Sequence, residues 1–215
     1  MREIHKRKKS SIKDFILRNI HDNLKSYLIV IILFIIGIVA GVIFINNTNE
    51  TQRAEIQGYI NNFISSLKQD YHIDKMELLK SSLWDNFILI ISMWFIGSTV
   101  IGIPIVFGIV IFRGFCIGYA VSSAVAVLGA QKGIIFLLTT MFLQNIIFIP
   151  VIICMAVSCI RLYKSIMKDK RRENIKLEII RHTLVSIMLF IVLVLATLIE
   201  VYISTNLVML CINMF

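Results

Sequence analysis

Residues 86–112 read NFILIISMWFIGSTVIGIPIVFGIVIF, 27 consecutive residues without a charge, and the run stops at Arg113. A bilayer core about 30 Å thick is crossed by roughly 20 apolar residues in a helix. Twenty-seven helical residues would reach about 40 Å, too long for one untilted span. The run also contains Gly97, Gly102, Pro104 and Gly108. Pro104 lacks a backbone donor and biases Ile103 away from helix. Either one long kinked helix turns near Arg113 and Gly114, or the chain turns near Gly102 and Pro104 and Arg113 sits inside the next span. Both readings give the same parity of crossings.

Working outward, residues 27–45 form a second uncharged run and residues 114–131 a shorter one closed by Lys132. Residues 133–160 carry no charge, and residues 183–215 carry only Glu200. The whole chain of 215 residues is 58% hydrophobic and only 16% charged. A soluble domain has about a quarter charged residues, so a monomeric cytosolic enzyme is excluded. The runs lack the alternation of barrel strands, which leaves helices. The expected fold is all-α: a polytopic integral membrane protein of about five transmembrane helices.

The charges test that count. Residues 1–26 hold eight Lys/Arg against three acids, and residues 161–182 again hold eight against three. Residues 46–85 hold four Lys/Arg and six acids. Basic loops stay in the cytoplasm, so the N-terminus is expected inside and the C-terminus outside. The net charge of +9 therefore reports orientation before it reports a ligand. The first apolar run follows 26 polar residues and ends in no cleavage-like site, so it reads as a retained anchor.

The resulting organisation is a basic cytoplasmic segment (1–26), transmembrane helix 1 (27–45), an outer amphipathic segment (46–85) and transmembrane helices 2–4 with Gly/Pro breaks (86–160). A second basic cytoplasmic segment (161–182) precedes transmembrane helix 5 and an outer C-terminal end (183–215). In the outer segment Ile56, Tyr59, Ile60, Phe63, Ile64 and Leu67 recur at helical spacing, with polar residues elsewhere on the wheel. Such a face either lies on its own membrane and spans or docks another protein's helix. Residues 75–83 suggest a second helix entering the next span.

Candidate chemistry is sparse. The four histidines lie outside the apolar runs, and no H-x-x-H, H-E-x-x-H, phosphate loop, G-x-S-x-G or paired intramembrane carboxylates occur. No catalytic, cofactor-binding or metal-binding residue is assigned, and no enzymatic activity is expected. Cys116, Cys154, Cys159 and Cys211 all lie in apolar runs and read as unpaired thiols. The basic segments offer anionic lipid a surface, but no basic module with interleaved aromatics suits nucleic acid.

Intramembrane contacts are expected at Gly114, Gly118, Gln144, Asn145 and Glu200. The Gly114/Gly118 spacing allows close helix approach, either within the chain or in a homo-oligomer. Gln144 and Asn145 place amides in the fourth span. Pro150, like Gly102 and Pro104, marks a helix break. Glu200 lies about 26 Å beyond Thr183 along a helix, near the outer interface, where solvent or Lys132 would meet it. Arg113 reads first as an anchor at the cytoplasmic edge.

The stretch from Asn86 to Gly118 resembles the core signature of the stage II sporulation protein M family of endospore-forming bacteria. Asn86, Trp94, Gly97, the Gly102-Ile103-Pro104 step and Arg113-Gly114-Phe115 with Gly118 carry the resemblance. Gln144-Asn145, Pro150, Ala196 and Glu200 extend it over nearly the whole chain. The resemblance implies a role in engulfment during sporulation, in the mother-cell septal or engulfing membrane. It further implies a scaffold that recruits two peptidoglycan hydrolases, stage II sporulation proteins D and P. The competing class is a small transporter or channel built around Gln144 and Asn145.

Overall fold

The computed structural model describes residues 20–68, 75–99, 101–168 and 172–211. The expected basic stretch over residues 1–19, parts of the segments 46–85 and 161–182, and the last four residues lie outside them. Among the described residues there are helices and no strand. In chain order the helices are α1 (Leu24–Asn46), α2 (Glu50–Lys68), α3 (Lys75–Gly97), α4 (Gly102–Leu128), α5 (Ala130–Thr140), α6 (Phe142–Lys168) and α7 (Arg172–Cys211). Five segments are long and apolar enough to cross a membrane: α1, α3, α4, Gln144–Met167 of α6 and Ile175–Ile203 of α7. Lipid offers no hydrogen bonds, so each such segment must satisfy its backbone internally, and helix does this.

The long run of residues 86–112 is divided between α3, which ends at Gly97, and α4, which begins at Gly102. The Ser98 amide donates to the Trp94 carbonyl and the Gly102 amide to that of Thr99, forming a tight turn between α3 and α4. A Cβ at Gly102 would fall on the Ile96 carbonyl, so the turn closes only with glycine there. Pro104 then occupies the first turn of α4, where a helix amide has no intrahelical partner to lose. It starts a helix instead of kinking one. Arg113 consequently lies roughly 16 Å along α4, inside a span, and the edge-anchor reading is corrected.

The fourth apolar run is also divided. Gly129, with φ +79°, separates α4 from the 11-residue α5. At about 16 Å, α5 is too short to cross a bilayer. At the following break, Thr139 and Thr140 donate hydroxyls to the Phe136 carbonyl, and Asn145 Nδ2 donates to the Met141 carbonyl at 2.9 Å. Polar side chains thus add hydrogen bonds to backbone carbonyls on both sides of the break, the Met141 carbonyl also accepting the Asn145 amide. The crossing segment begins only at Gln144. Pro150, expected to break the helix, does not: α6 runs through it from Phe142 to Lys168.

Residue pairings between helices fix their directions. Gly37 and Gly41 of α1 meet Ile111 to Tyr119 of α4 in rising order, so these helices are parallel. Asn86–Thr197 and Trp94–Thr183 hydrogen bonds make α3 and α7 antiparallel. The Cys159 thiol reaches the Met93 carbonyl at 3.6 Å, while Gln144 and Asn145 share a cavity with Asn86, so α3 and α6 run together. Three spans therefore run one way and two the other. Lys25, Arg161, Lys164, Lys176 and Arg181 collect at one end, where Lys164 donates to Ser26 at 2.8 Å and Arg161 pairs with Glu178 at 3.2 Å. This is the clustering of basic segments that five crossings require.

Helix α6 is the centre of the bundle. Val151, Ile152, Met155, Ala156 and Cys159 are buried there against Val30, Phe34, Met93, Val106, Val110 and Leu193. The outward sides of α1 and α7 instead carry Ile32, Ile35, Ile36, Leu184, Met188 and Ile191, all exposed. An apolar perimeter of this kind suits acyl chains and would be insoluble in water. Lipid also removes the hydrophobic drive between helices, so close packing and interhelical hydrogen bonds must hold them.

Candidate functional site

The signature residues act chiefly as helix joints. Gly114 packs against Phe34, Gly37 and Ile38, and Gly118 against Ile38, with backbone meeting backbone. Gly37 and Gly41 make the reciprocal approach to Phe115 and Tyr119. The G-x-x-x-G spacing is thus used within one chain. Its partner, Gly37-Ile-Val-Ala-Gly41, has the same spacing and was legible in the first apolar run. Gly97 faces the Cys159 side chain, and Trp94 Nε1 donates to Thr183 Oγ1 at 3.1 Å. His182, polar by sequence, is buried and hydrogen-bonded to Ser158 at 2.8 Å. Cys116, Cys154 and Cys159 are free.

At the end opposite the basic cluster, α2 lies beside α4 and α5. Its apolar face is split. Ile60 and Ile64 are buried in the protein itself, which removes Ile60 from the expected docking residues. Tyr59 is 76% exposed and Phe63 43% exposed. Phe63 meets Phe136 edge-on, with centroids 6.1 Å apart. Between them opens an apolar groove of about 710 Å³, lined by Ile56, Tyr59, Phe63, Tyr119, Phe136 and Leu137 among others. The Leu67 side chain lies outside the described residues.

A second feature gathers the expected Gln144 and Asn145 with residues that the sequence did not bring to them. A chamber of about 420 Å³ and mixed lining lies between α3, α4 and α6, bordered by Asp85, Asn86, Arg113, Gln144 and Asn145 and by apolar residues such as Leu89, Ile117 and Phe148. The Arg113 guanidinium lies 5.0 Å from the Phe148 ring centroid, a cation–π contact that substitutes for hydration. Sequence spacing brought out Gln144 and Asn145, but Asp85 and Arg113 join them only because the chain turns between α3 and α4. Glu200 stands elsewhere on α7. Its Oε2 is buried without a hydrogen-bond partner, and no ion pair with Lys132 occurs among the described residues.

Five apolar spans joined by close glycine contacts and interhelical hydrogen bonds define a multi-pass helical membrane protein. Residues 30–205 match the family described as stage II sporulation protein M. The chain belongs to that family, and is a multi-pass membrane protein of sporulation. No curated protein and no solved structure matches it.

Proposed function

We propose that the protein is a non-catalytic membrane scaffold of the engulfment complex, anchoring peptidoglycan hydrolases at the septal or engulfing membrane of the mother cell. The observation that carries this reading is the outer face of α2. Tyr59 and Phe63 present aromatic surface beside an apolar groove, at the end of the bundle away from the basic segments. If the basic end is cytoplasmic, that face meets the compartment where cell-wall enzymes act. Aromatic side chains over a groove are a common anchor for a partner's apolar helix. Stage II sporulation proteins D and P are the partners the family resemblance implies.

Affinity purification of the tagged protein from sporulating cells tests it. The hydrolases should accompany the wild type and be lost with Tyr59→Asp and Phe63→Asp combined. Recovery of undiminished hydrolase with that variant would remove the docking face. The chamber between α3, α4 and α6 favours one other reading, a small transporter, and solute flux into liposomes holding the purified protein alone would support it.

A further inference from the structure

The chamber between α3, α4 and α6 has no part in the scaffold reading, and its chemistry stands independently of it. Its 420 Å³ lies within the roughly 300–1,000 Å³ of small-molecule sites. Asp85 on α3 and Arg113 on α4 supply one charge of each sign to its walls, and neither belongs to an ion pair among the described residues. Gln144 and Asn145 line the third wall. Asn145 spends Nδ2 on the Met141 carbonyl, which leaves its Oδ1 as an acceptor.

Arg113 lies well inside α4, where an isolated charge is costly and by default marks a functional cavity, whereas Asp85, which lines the same chamber, is exposed. The two line the chamber without forming an ion pair among the described residues. A group that carries both charges would satisfy them together. A simple anion would suit Arg113 and be repelled by Asp85, and a simple cation the reverse. Guanidinium forms paired hydrogen bonds with phosphate or carboxylate oxygens, and a carboxylate accepts from a primary ammonium.

We propose that the chamber binds a small zwitterion, with its anionic oxygens at Arg113 and its ammonium at Asp85. Two sources share this chemistry: the headgroup of an ethanolamine phospholipid, and a free molecule such as phosphoethanolamine.

The test uses the full chain. Equilibrium dialysis of labelled phosphoethanolamine against detergent-solubilised protein reads the free molecule. Native mass spectrometry of protein released from nanodiscs of phosphatidylethanolamine, phosphatidylcholine or phosphatidylglycerol reads the lipid. Retention of either ethanolamine probe is expected, weakened at least tenfold by Arg113→Gln and by Asp85→Asn. The probe that is retained identifies the source. Ser92→Leu, which fills the chamber while keeping both charges, should also abolish retention and decides the matter if the charge variants do not accumulate. Retention unchanged in these variants would overturn the proposal. So would equal retention of inorganic phosphate or phosphatidylglycerol, or no retention of any probe by the wild type.

Discussion

Asn86, at the middle of α3, donates a 2.9 Å hydrogen bond from Nδ2 to Oγ1 of Thr197 on α7, and both residues are buried. Thr197 in turn donates to the Leu193 carbonyl at 2.9 Å. The bond therefore joins two antiparallel spans far apart in sequence. Interhelical hydrogen bonds in membranes contribute about 0.6 kcal/mol on average and up to about 1.7. Asn86→Leu and Thr197→Val should each destabilise the protein by about 1–2 kcal/mol in detergent unfolding. The double variant should cost less than their sum, and strict additivity would deny the coupling.

The α1–α4 joint tolerates no side chain. A Cβ at Gly114 or Gly118 would be driven into the α1 backbone at Phe34 or Ile38, and backbone cannot swing aside as a side chain can. Gly114→Val and Gly118→Val should cost more than about 3 kcal/mol, at or beyond the upper range for overpacking. Little folded protein should accumulate in membranes. Gly108, on the same helix, has nothing within 4 Å of such a Cβ. Gly108→Ala should be neutral or stabilising by up to about 1 kcal/mol, as measured by the same unfolding assay.

The two sides of α2 should separate in experiment. Tyr59→Asp alters a side chain that is 76% exposed and should leave the unfolding midpoint nearly unchanged while hydrolase recovery falls. Ile64→Asp places a carboxylate at a position 7% exposed and should lower stability by several kcal/mol. A large stability loss with Tyr59→Asp would show that this face packs within the protein.

Glu200 carries a buried oxygen with no partner. An uncompensated carboxylate in such a place costs stability, so Glu200→Gln should raise the unfolding free energy by about 1 kcal/mol. If hydrolase recovery falls while stability rises, Glu200 meets a partner protein. If recovery is unaffected, the carboxylate has no part in assembly. A drop in stability would mean that Oε2 has a protein partner after all.

Orientation is open to direct labelling. Cysteine placed at Lys132, exposed on α5, should react with impermeant maleimide from outside intact cells, as should cysteine at Gln57 on α2. Cysteine at Lys176 should react only after permeabilisation. Reversal of this pattern would put the basic cluster outside and remove the docking face from the cell-wall compartment.

The number of spans and their alternation were legible in the sequence because both follow from the solvent. Hydrocarbon demands about 20 apolar residues per crossing, and charge bias orders the crossings, so local composition alone carries this information. The amphipathic period of α2 and the close-approach spacing of Gly114 and Gly118 were legible for the same reason. Which surface each would meet was not, since Ile60 turns inward and Tyr59 outward only once α2 lies beside α4.

The tertiary structure decided the rest. Pro104 and Pro150 look alike as letters, yet one starts a helix and the other lies within one, because a turn that requires Gly102 precedes the first. That turn moves Arg113 from an expected membrane edge into a span, beside Asp85 and the amides of Gln144 and Asn145. Sequence determined that this chain crosses the membrane five times, through one-dimensional runs of apolarity and charge. Contacts between distant residues decided that the crossings line a chamber holding charged and amide groups, because a cavity is made by surfaces that meet only when the helices pack.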